Sequence, residues 1–508
     1  MSSLNRFLSA SAASWSRILF TIATQILLVP VFLGHWTVEE YGCWLIIQTL
    51  VTVAQLLSTG HQTFVGYEFL KIGDNQQKQM RLLFYSALPY VLIIAVFELF
   101  GLLALIRLGF VTASFDPNQS MDRGVLHQAI LSLVLYSLYW VFGSGGALAS
   151  RAVAPYGHFA RMAWWATFVA FAQAAVSGAA VAAGADLLQT VVCVLLAGII
   201  ANILFYIDVW RLFRRYGIFP VRPDWRFGLR NAGYSLALSL SSVLDLSRQQ
   251  GVRIFLGAII GVTEMTAFST TRTMSNLSLQ GIGTITNPIM PEIMRFLRER
   301  DADRTNATVG FVWFFTVILL APILIIFQCL MPAVFHIWTR GKIAFNPMLF
   351  GLFSISLLVF SLARPSVAVL QGNNLLKVQL WISILVSVIA VGGILLLTSA
   401  FGVSGAATAL LFAELAGTVL AIRFAWIWLT ENKIGFPWRL FAVSLCSIVV
   451  TTVAIFAMIY LPRAILPIAG LSLTLCLVTA LAFLRQLPPV AAHRMRSFFT
   501  RLPLVGRD

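Results

Sequence analysis

The chain has 508 residues, 59% of them hydrophobic and only 11% charged, with a formal net charge of +16. Soluble domains carry about 25% charged residues, so this composition excludes a cytosolic multidomain enzyme, and its hydrophobicity excludes disorder. An integral membrane protein remains, with a mean hydropathy of +0.88.

The five cysteines stand singly in apolar runs, with neither metal-ligand spacing nor a disulfide framework, and read as small buried residues. No metal site is expected. The small residues Ser9-Ala10-Ser11-Ala12-Ala13 precede the first apolar run instead of following it. The first span therefore reads as retained, not as a cleaved signal.

A hydrocarbon core about 30 Å thick asks for about 20 mostly apolar residues per helix. Fourteen stretches meet that length, roughly 15–34, 42–62, 83–108, 126–150, 162–184, 187–210, 232–258, 264–289, 308–331, 347–371, 378–400, 403–429, 438–461 and 463–485. Barrel strands would be about ten residues long and alternate in polarity, and these do neither. The expected fold is all-α and polytopic.

In chain order, span 1 gathers Arg17, Thr21, Thr24 and Gln25 on one face at about 100° per residue. Span 2 carries Gln48, Thr52, Gln55, Thr59 and Gln62 as a single stripe. Span 3 is apolar apart from Glu98, spans 4 to 6 are mostly apolar, and the basic stretch 211–231 follows as a cytoplasmic linker. Span 7 places Ser242, Asp245, Arg248, Gln249 and Arg253 in one arc, and span 8 aligns Ser269, Arg272, Asn276, Gln280 and Asn287. Beyond these, Glu414 in span 12 interrupts an apolar pattern. Polar groups facing lipid are costly, so such faces turn to protein or water. Plainer readings stand beside a transport path. Asp245 and Arg248, three apart, can neutralise each other within one helix, and Ser, Thr and Gln stripes can join helices without a ligand. His61 lies off the glutamine stripe and reads as a packing residue.

The basic residues test the span count. With the N-terminus inside, alternate loops put 27 of the 35 Lys and Arg on the cytoplasmic side, among them Arg211, Arg214, Arg215, Arg295 and the tail arginines from Arg485 onward. Five (Arg107, Arg123, Arg340, Lys342, Arg463) fall outside, and three more (Arg248, Arg253, Arg272) sit inside spans; Arg17 and Arg364, counted with the 27, lie within a helix close to the cytoplasmic side. That asymmetry predicts fourteen helices with both termini cytoplasmic. The positive charge is mostly topology, and no nucleic-acid partner is expected.

An internal repeat is visible. Phe32-Leu33-Gly34 ends span 1 and Phe255-Leu256-Gly257 ends span 7, each followed by an acid (Glu40, Glu264) opening the next helix. Gly184-Ala185 between spans 5 and 6 matches Gly405-Ala406-Ala407 between spans 11 and 12, and the two offsets, 223 and 221 residues, nearly agree. Two pseudo-symmetric six-helix lobes are expected, 1–210 and 232–430 about the 211–231 linker. Helices 13 and 14 (431–485) and a basic cytoplasmic tail (486–508) are appended.

The polar helices 1, 2, 7 and 8 form the two repeat-equivalent pairs. Their arginines Arg17, Arg248, Arg253 and Arg272 outnumber Asp245, and guanidinium forks suit phosphate oxygens. The surrounding Gln25, Gln48, Thr52, Gln55, Asn276 and Gln280 suit a hydroxyl-rich group such as a sugar. An amphipathic anion with a sugar-like head is the expected cargo, with its apolar tail left in lipid.

Further features carry a family resemblance: Glu39-Glu40-Tyr41-Gly42-Cys43-Trp44 opening helix 2, Asp245 with Arg248, Pro288-x-x-Pro291-Glu292 closing helix 8, and Gly402-x-x-Gly405-Ala406-Ala407 opening helix 12. The chain resembles the polysaccharide-export branch of the MOP superfamily, the Wzx-type O-antigen and exopolysaccharide flippases, and more distantly lipid II flippases of the MurJ type. The resemblance implies a V-shaped, two-lobe transporter of the bacterial inner membrane. It would move an undecaprenyl-pyrophosphate-linked oligosaccharide outward by alternating access, without catalysis or cofactor. It places arginines of helices 1, 2 and 8 near the pyrophosphate; Arg17 and Arg272 match in placement, while helix 2 has glutamines and no arginine. Coupling to a proton or sodium gradient would fall to Asp245, Glu98 and Glu414, although helix 11 has no acid. Besides lipid, a polysaccharide polymerase and a chain-length regulator are the implied partners. The alternatives are a MATE-type cation-coupled antiporter, whose cavity would be acidic, and a membrane polymerase or ligase, which would need a large outer loop with placed acids or bases. The longest outer loop, about 109–125, holds only Asp116, Asp122 and Arg123.

Overall fold

A computed structural model describes residues 3–73, 76–116, 121–246, 251–286, 293, 296–297, 299–373 and 375–487; their side chains are described except at 3–15, 17, 236–246, 279, 281–286 and 376. No strand occurs among the described residues. The chain divides into two compact units, Met1–Thr266 with Trp338–Lys342, and Ala267–Ile337 with Ile343–Asp508.

The first unit begins with α1 (Ser3–His35), which carries Pro30 in its last turns. A proline has no N–H for the carbonyl four residues back, and here Ile26 O instead accepts the Trp338 indole N–H at 2.8 Å. The end of α1 is covered further: Lys342 Nζ donates to Trp36 O at 2.8 Å, and the Arg340 guanidinium lies where a Cβ on Gly34 would be, 2.6 Å from Nη1. These cations meet the negative end of the helix dipole. Next, α2 (Val38–Ala54) opens with a reciprocal cap in which Glu40 N–H donates to Thr37 Oγ1 and Thr37 N–H donates to Glu40 Oε2. After a 48° bend, α3 (Leu56–Ile72) continues. Then come α4 (Gln77–Arg107), the short α5 (Phe110–Phe115) after Gly109, and α6 (Arg123–Ala152). A π turn, Ala154–His158, leads to α7 (Phe159–Ala182) and α8 (Leu187–Arg215). Helices α9 (Trp225–Leu246) and α10 (Val252–Ile260) complete this unit; α9 packs on α3 and α4, and α10 on α2 and α5.

The second unit takes most of α11 (Val262–Thr286), then α12 (Ala302–Trp313), a π turn, α13 (Leu320–Trp338), α14 (Pro347–Gly372), α15 (Leu376–Glu431), α16 (Trp438–Tyr460) and α17 (Ile465–Gln486). The fully buried Trp313 sits in its core and donates from Nε1 to Leu362 O at 3.0 Å, one turn before Pro365. The 56 residues of α15 are two antiparallel helices. Gly402 turns the chain with φ 55° and ψ −141°, and a Cβ on Gly405 would lie 2.1 Å from Leu397 O. Farther out, a Cβ on Gly393 would meet Ala409 and one on Gly417 would meet Val386. These pairs step away from residue 402 almost symmetrically, as a hairpin requires.

Large apolar side chains cover the outside, with Leu466 at 81% exposure and Leu396 at 75%, a surface suited to lipid tails and costly in water. Ten described helices are long and apolar enough to cross a membrane, or eleven with α2 and α3 as one span. The expected fourteen is higher for physical reasons. The α15 hairpin is one continuous helical run across spans 11 and 12. Span 7 falls on α9 and α10, whose connection at 247–250 is outside the described residues, and span 8 falls on the polar α11. Among the described residues, each of the fourteen stretches falls mainly on helix.

Candidate functional site: a broken helix and an arginine fork

The second span contains a joint that a continuous apolar stretch does not announce. Gln55 closes α2 and precedes α3 without making a side-chain cap bond, yet the first N–H groups of a helix need acceptors. Glu98 of α4 provides one: its Oε1 accepts Ser58 N–H at 2.8 Å, and the N–H of Leu57 also approaches the carboxylate. A carboxyl group from a neighbouring helix thus does the work of an N-cap. Glu98 is 8% exposed. Its Oε2 and Trp140 Nε1 of α6 are both buried, and the indole N–H and the Ser58 hydroxyl face the carboxylate. Together with Gln55, Ala54 and Ser137, Glu98 and Trp140 line a small, partly open cleft.

The rest of the glutamine stripe faces helices. Gln48 lies beside the Tyr136 hydroxyl of α6. Gln62 donates to Ser144 O at 3.3 Å and accepts from Arg151 Nη1 at 3.2 Å. Arg151, at the end of α6, also donates from Nη2 to Thr63 Oγ1 and from Nη1 to Ala147 O, both at 3.2 Å. Gly66 admits this side chain, since a Cβ there would lie 2.7 Å from Arg151 Cδ. Among the described residues no carboxylate pairs with Arg151. Thr52 is exposed, its hydroxyl turned back to Gln48 O.

Of the other expected site residues, Gln25 is half-buried on α1, and Arg253, half-buried on α10, interacts electrostatically with the Tyr41 phenol. Arg272, Asn276 and Gln280 are half-buried on α11, and Glu414 is half-buried on α15; these four belong to the second unit. Arg17 and Asp245 lie on α1 and α9 with side chains outside those described, and Arg248 lies outside the described residues.

His61 is fully buried, and its Nδ1 lies 2.9 Å from Ser235 Oγ of α9. Ser235 Oγ donates its own proton to Ala232 O, so His61 Nδ1 is the donor to the hydroxyl. This histidine joins α3 to α9.

Sequence reasoning missed Arg151, counted there only as a cytoplasmic charge, as well as Trp140 and Asp208. Asp208 of α8 is 6% exposed and accepts both arms of Arg161 and the Trp165 N–H, tying α8 to α7.

No family model matches this chain, and no curated protein does. Solved structures do. The lipid II flippase MurJ in an inward closed conformation aligns with a TM-score of 0.64 at 11% identity, over 94% of this chain and 99% of that one. The chain has the fold of MOP-superfamily transporters. An inward-facing multidrug-resistance MATE transporter of that superfamily aligns with a TM-score of 0.61 at 14% identity, over 82% and 95%. A MOP-superfamily transporter from Pyrococcus furiosus, described as having a binding pocket of reversed polarity, gives 0.56 at 12% identity over 84% and 96%. The MOP fold accounts for an all-helical chain of many apolar spans.

Proposed function

We propose that this protein is a flippase that moves an undecaprenyl-pyrophosphate-linked oligosaccharide outward across the bacterial inner membrane by alternating access. The observation that carries this reading is the sign of the polar spans: four arginines on spans 1, 7 and 8 against Asp245. Guanidinium groups inside a membrane ask for an anion, and pyrophosphate oxygens accept their paired N–H donors. Arg17, Arg248, Arg253 and Arg272 hold the pyrophosphate. Gln25, Gln48, Thr52, Gln55, Asn276 and Gln280 meet sugar hydroxyls, and Asp245, Glu98 and Glu414 couple the cycle to a proton or sodium gradient. Fold likeness supports the same choice, since the lipid II flippase takes in 94% of this chain and the MATE transporter 82%. A reversed pocket polarity within the same fold has a parallel in the Pyrococcus furiosus protein. A MATE-type exporter of cations would meet repulsion from those arginines. Cargo, inner-membrane location and cytoplasmic termini all follow from this reading.

The test is accumulation of lipid-linked oligosaccharide in a strain lacking the protein, followed by thin-layer analysis of the lipid. The expected result is inward-facing lipid-linked sugar that disappears when the wild-type gene returns. Unchanged lipid-linked sugar together with altered resistance to organic cations would replace this reading with the antiporter.

A further inference from the structure

The start of α4 and the end of α8 hold a cation in a fixed pose and give it no anion. The two ends meet through Phe84 and Phe213, whose rings pack edge to face 5.0 Å apart. The chain leaves α8 through Gly217 in a left-handed turn, φ 64°, and the Tyr85 hydroxyl of α4 donates to Ile218 O at 3.3 Å. Arg81 of α4 runs into this corner. Its guanidinium lies 5.7 Å from the centre of the Phe219 ring, and a Cβ on Gly217 would stand 3.2 Å from its Nη2. Its Nε is buried without a hydrogen-bond partner, and among the described residues no carboxylate pairs with the guanidinium. The carboxylates at this end are engaged elsewhere: Asp208 by Arg161 and Trp165, Glu68 by Lys71, and Asp224 Oδ1 by the Phe227 N–H. Two exposed cations stand on the same helix ends. Lys78 is one turn before Arg81, and Arg214 supplies the carbonyl that accepts the Gly217 N–H at 3.3 Å.

These residues sit just past the apolar stretches, Arg81 before 83–108 and Arg214 after 187–210, at the level of lipid headgroups. Charges that only fix topology need no pose. Arg81 has one, between a ring and a turn that a side chain at residue 217 would crowd. Leu82, next to Arg81, Trp210, one turn before Arg214, and Phe219 are all exposed, an apolar and aromatic border suited to acyl chains at the interface. We propose that this corner binds the phosphate of one anionic phospholipid of the adjoining leaflet, with Arg81 as the fork and Lys78 and Arg214 as flanking charges. The bound lipid ties the start of α4 to the turn that leaves α8. None of the residues proposed to hold the cargo belongs to this corner, so it is tested without transport and independently of the flippase reading.

The experiment uses purified full-length protein in an uncharged detergent. Thermal unfolding is followed as phosphatidylglycerol, phosphatidylcholine or inorganic phosphate is added at equal ionic strength. The expected result is a saturable rise in midpoint with phosphatidylglycerol alone. In Arg81→Gln half-saturation should need at least about tenfold more of that lipid, the loss of one charge-assisted contact. Arg107→Gln removes the same charge from the other end of α4 and should respond as wild type does. If Arg81→Gln does not fold, the double variant Lys78→Gln, Arg214→Gln takes its place, with a shift in the same direction expected. Equal responses to the two lipids, a wild-type response in the corner variant, or a shift as large in Arg107→Gln overturn the proposal. A rise reproduced by inorganic phosphate also overturns it, in favour of a free anion.

Discussion

The Trp338 indole N–H donates at 2.8 Å to the Ile26 carbonyl, the acceptor that Pro30 leaves without a helical donor. The bond crosses more than 300 residues of chain to repair a defect four residues from its cause. Because the two features answer each other, they form a thermodynamic cycle. Trp338→Phe alone should lower stability by about 1 kcal/mol. Pro30→Ala restores an N–H to Ile26 O, and in that background the same Trp338→Phe change should cost measurably less. Chemical unfolding of the four proteins in detergent checks the coupling. Additive effects would mean that the indole does not act through the proline gap.

The hairpin within α15 depends on backbone space. Gly402 has φ 55° with ψ −141°, a region essentially reserved for glycine, so Gly402→Ala should cost about 1–3 kcal/mol. Gly405→Ala should do comparable damage through its approach to Leu397 O. Gly392→Ala, where a Cβ meets nothing within 4 Å, should leave expression and stability near wild type. Yield and monodispersity on size exclusion give the comparison.

Asp208 answers Arg161 and Trp165 together, and its removal strands both donors. Asp208→Ala should destabilise by about 2 kcal/mol, below the ~3–5 kcal/mol of fully buried pairs because Arg161 is half-exposed. Asp208→Asn keeps an oxygen for Trp165 and should fall between the two. Thermal unfolding at low and high salt should show little screening of the effect, since the carboxylate is buried.

The proposed pyrophosphate contacts separate function from folding. Arg272→Ala and Arg253→Ala should each reduce export of the lipid-linked repeat at least about tenfold, the loss of one charge-assisted contact. Protein abundance should stay unchanged. Full export in both variants at normal abundance would remove these arginines from the cargo path. The Arg151 fork offers a contrast: Arg151→Gln should weaken the α3–α6 contact at Gln62 and Thr63, and should show first as lower thermal stability.

Apolar runs of about 20 residues are legible one at a time, because a bilayer imposes its length on each helix independently. That is why the described residues of every predicted stretch are mostly helical. The turn at Gly402 was legible as well, since a glycine between two apolar runs is a local signal. The joint at Gln55 was not. It depends on Glu98, 43 residues away, reaching the first N–H groups of α3, and no local pattern in 42–62 records that partner. The glutamine stripe is a periodicity, and periodicity cannot say what a face meets. Gln48 and Gln62 meet α6, while Gln55 meets a cleft.

By itself the sequence determined the helical class and the long apolar spans, because composition, length and periodicity act along the chain. Tertiary structure alone decided which polar groups are satisfied. Trp338 serves a carbonyl of α1, Arg151 turns inward onto Gln62 and Thr63, and Glu98 closes one helix end. In a low-dielectric interior the cost of a polar group depends on its partner. Those partners come from distant helices brought together only by packing.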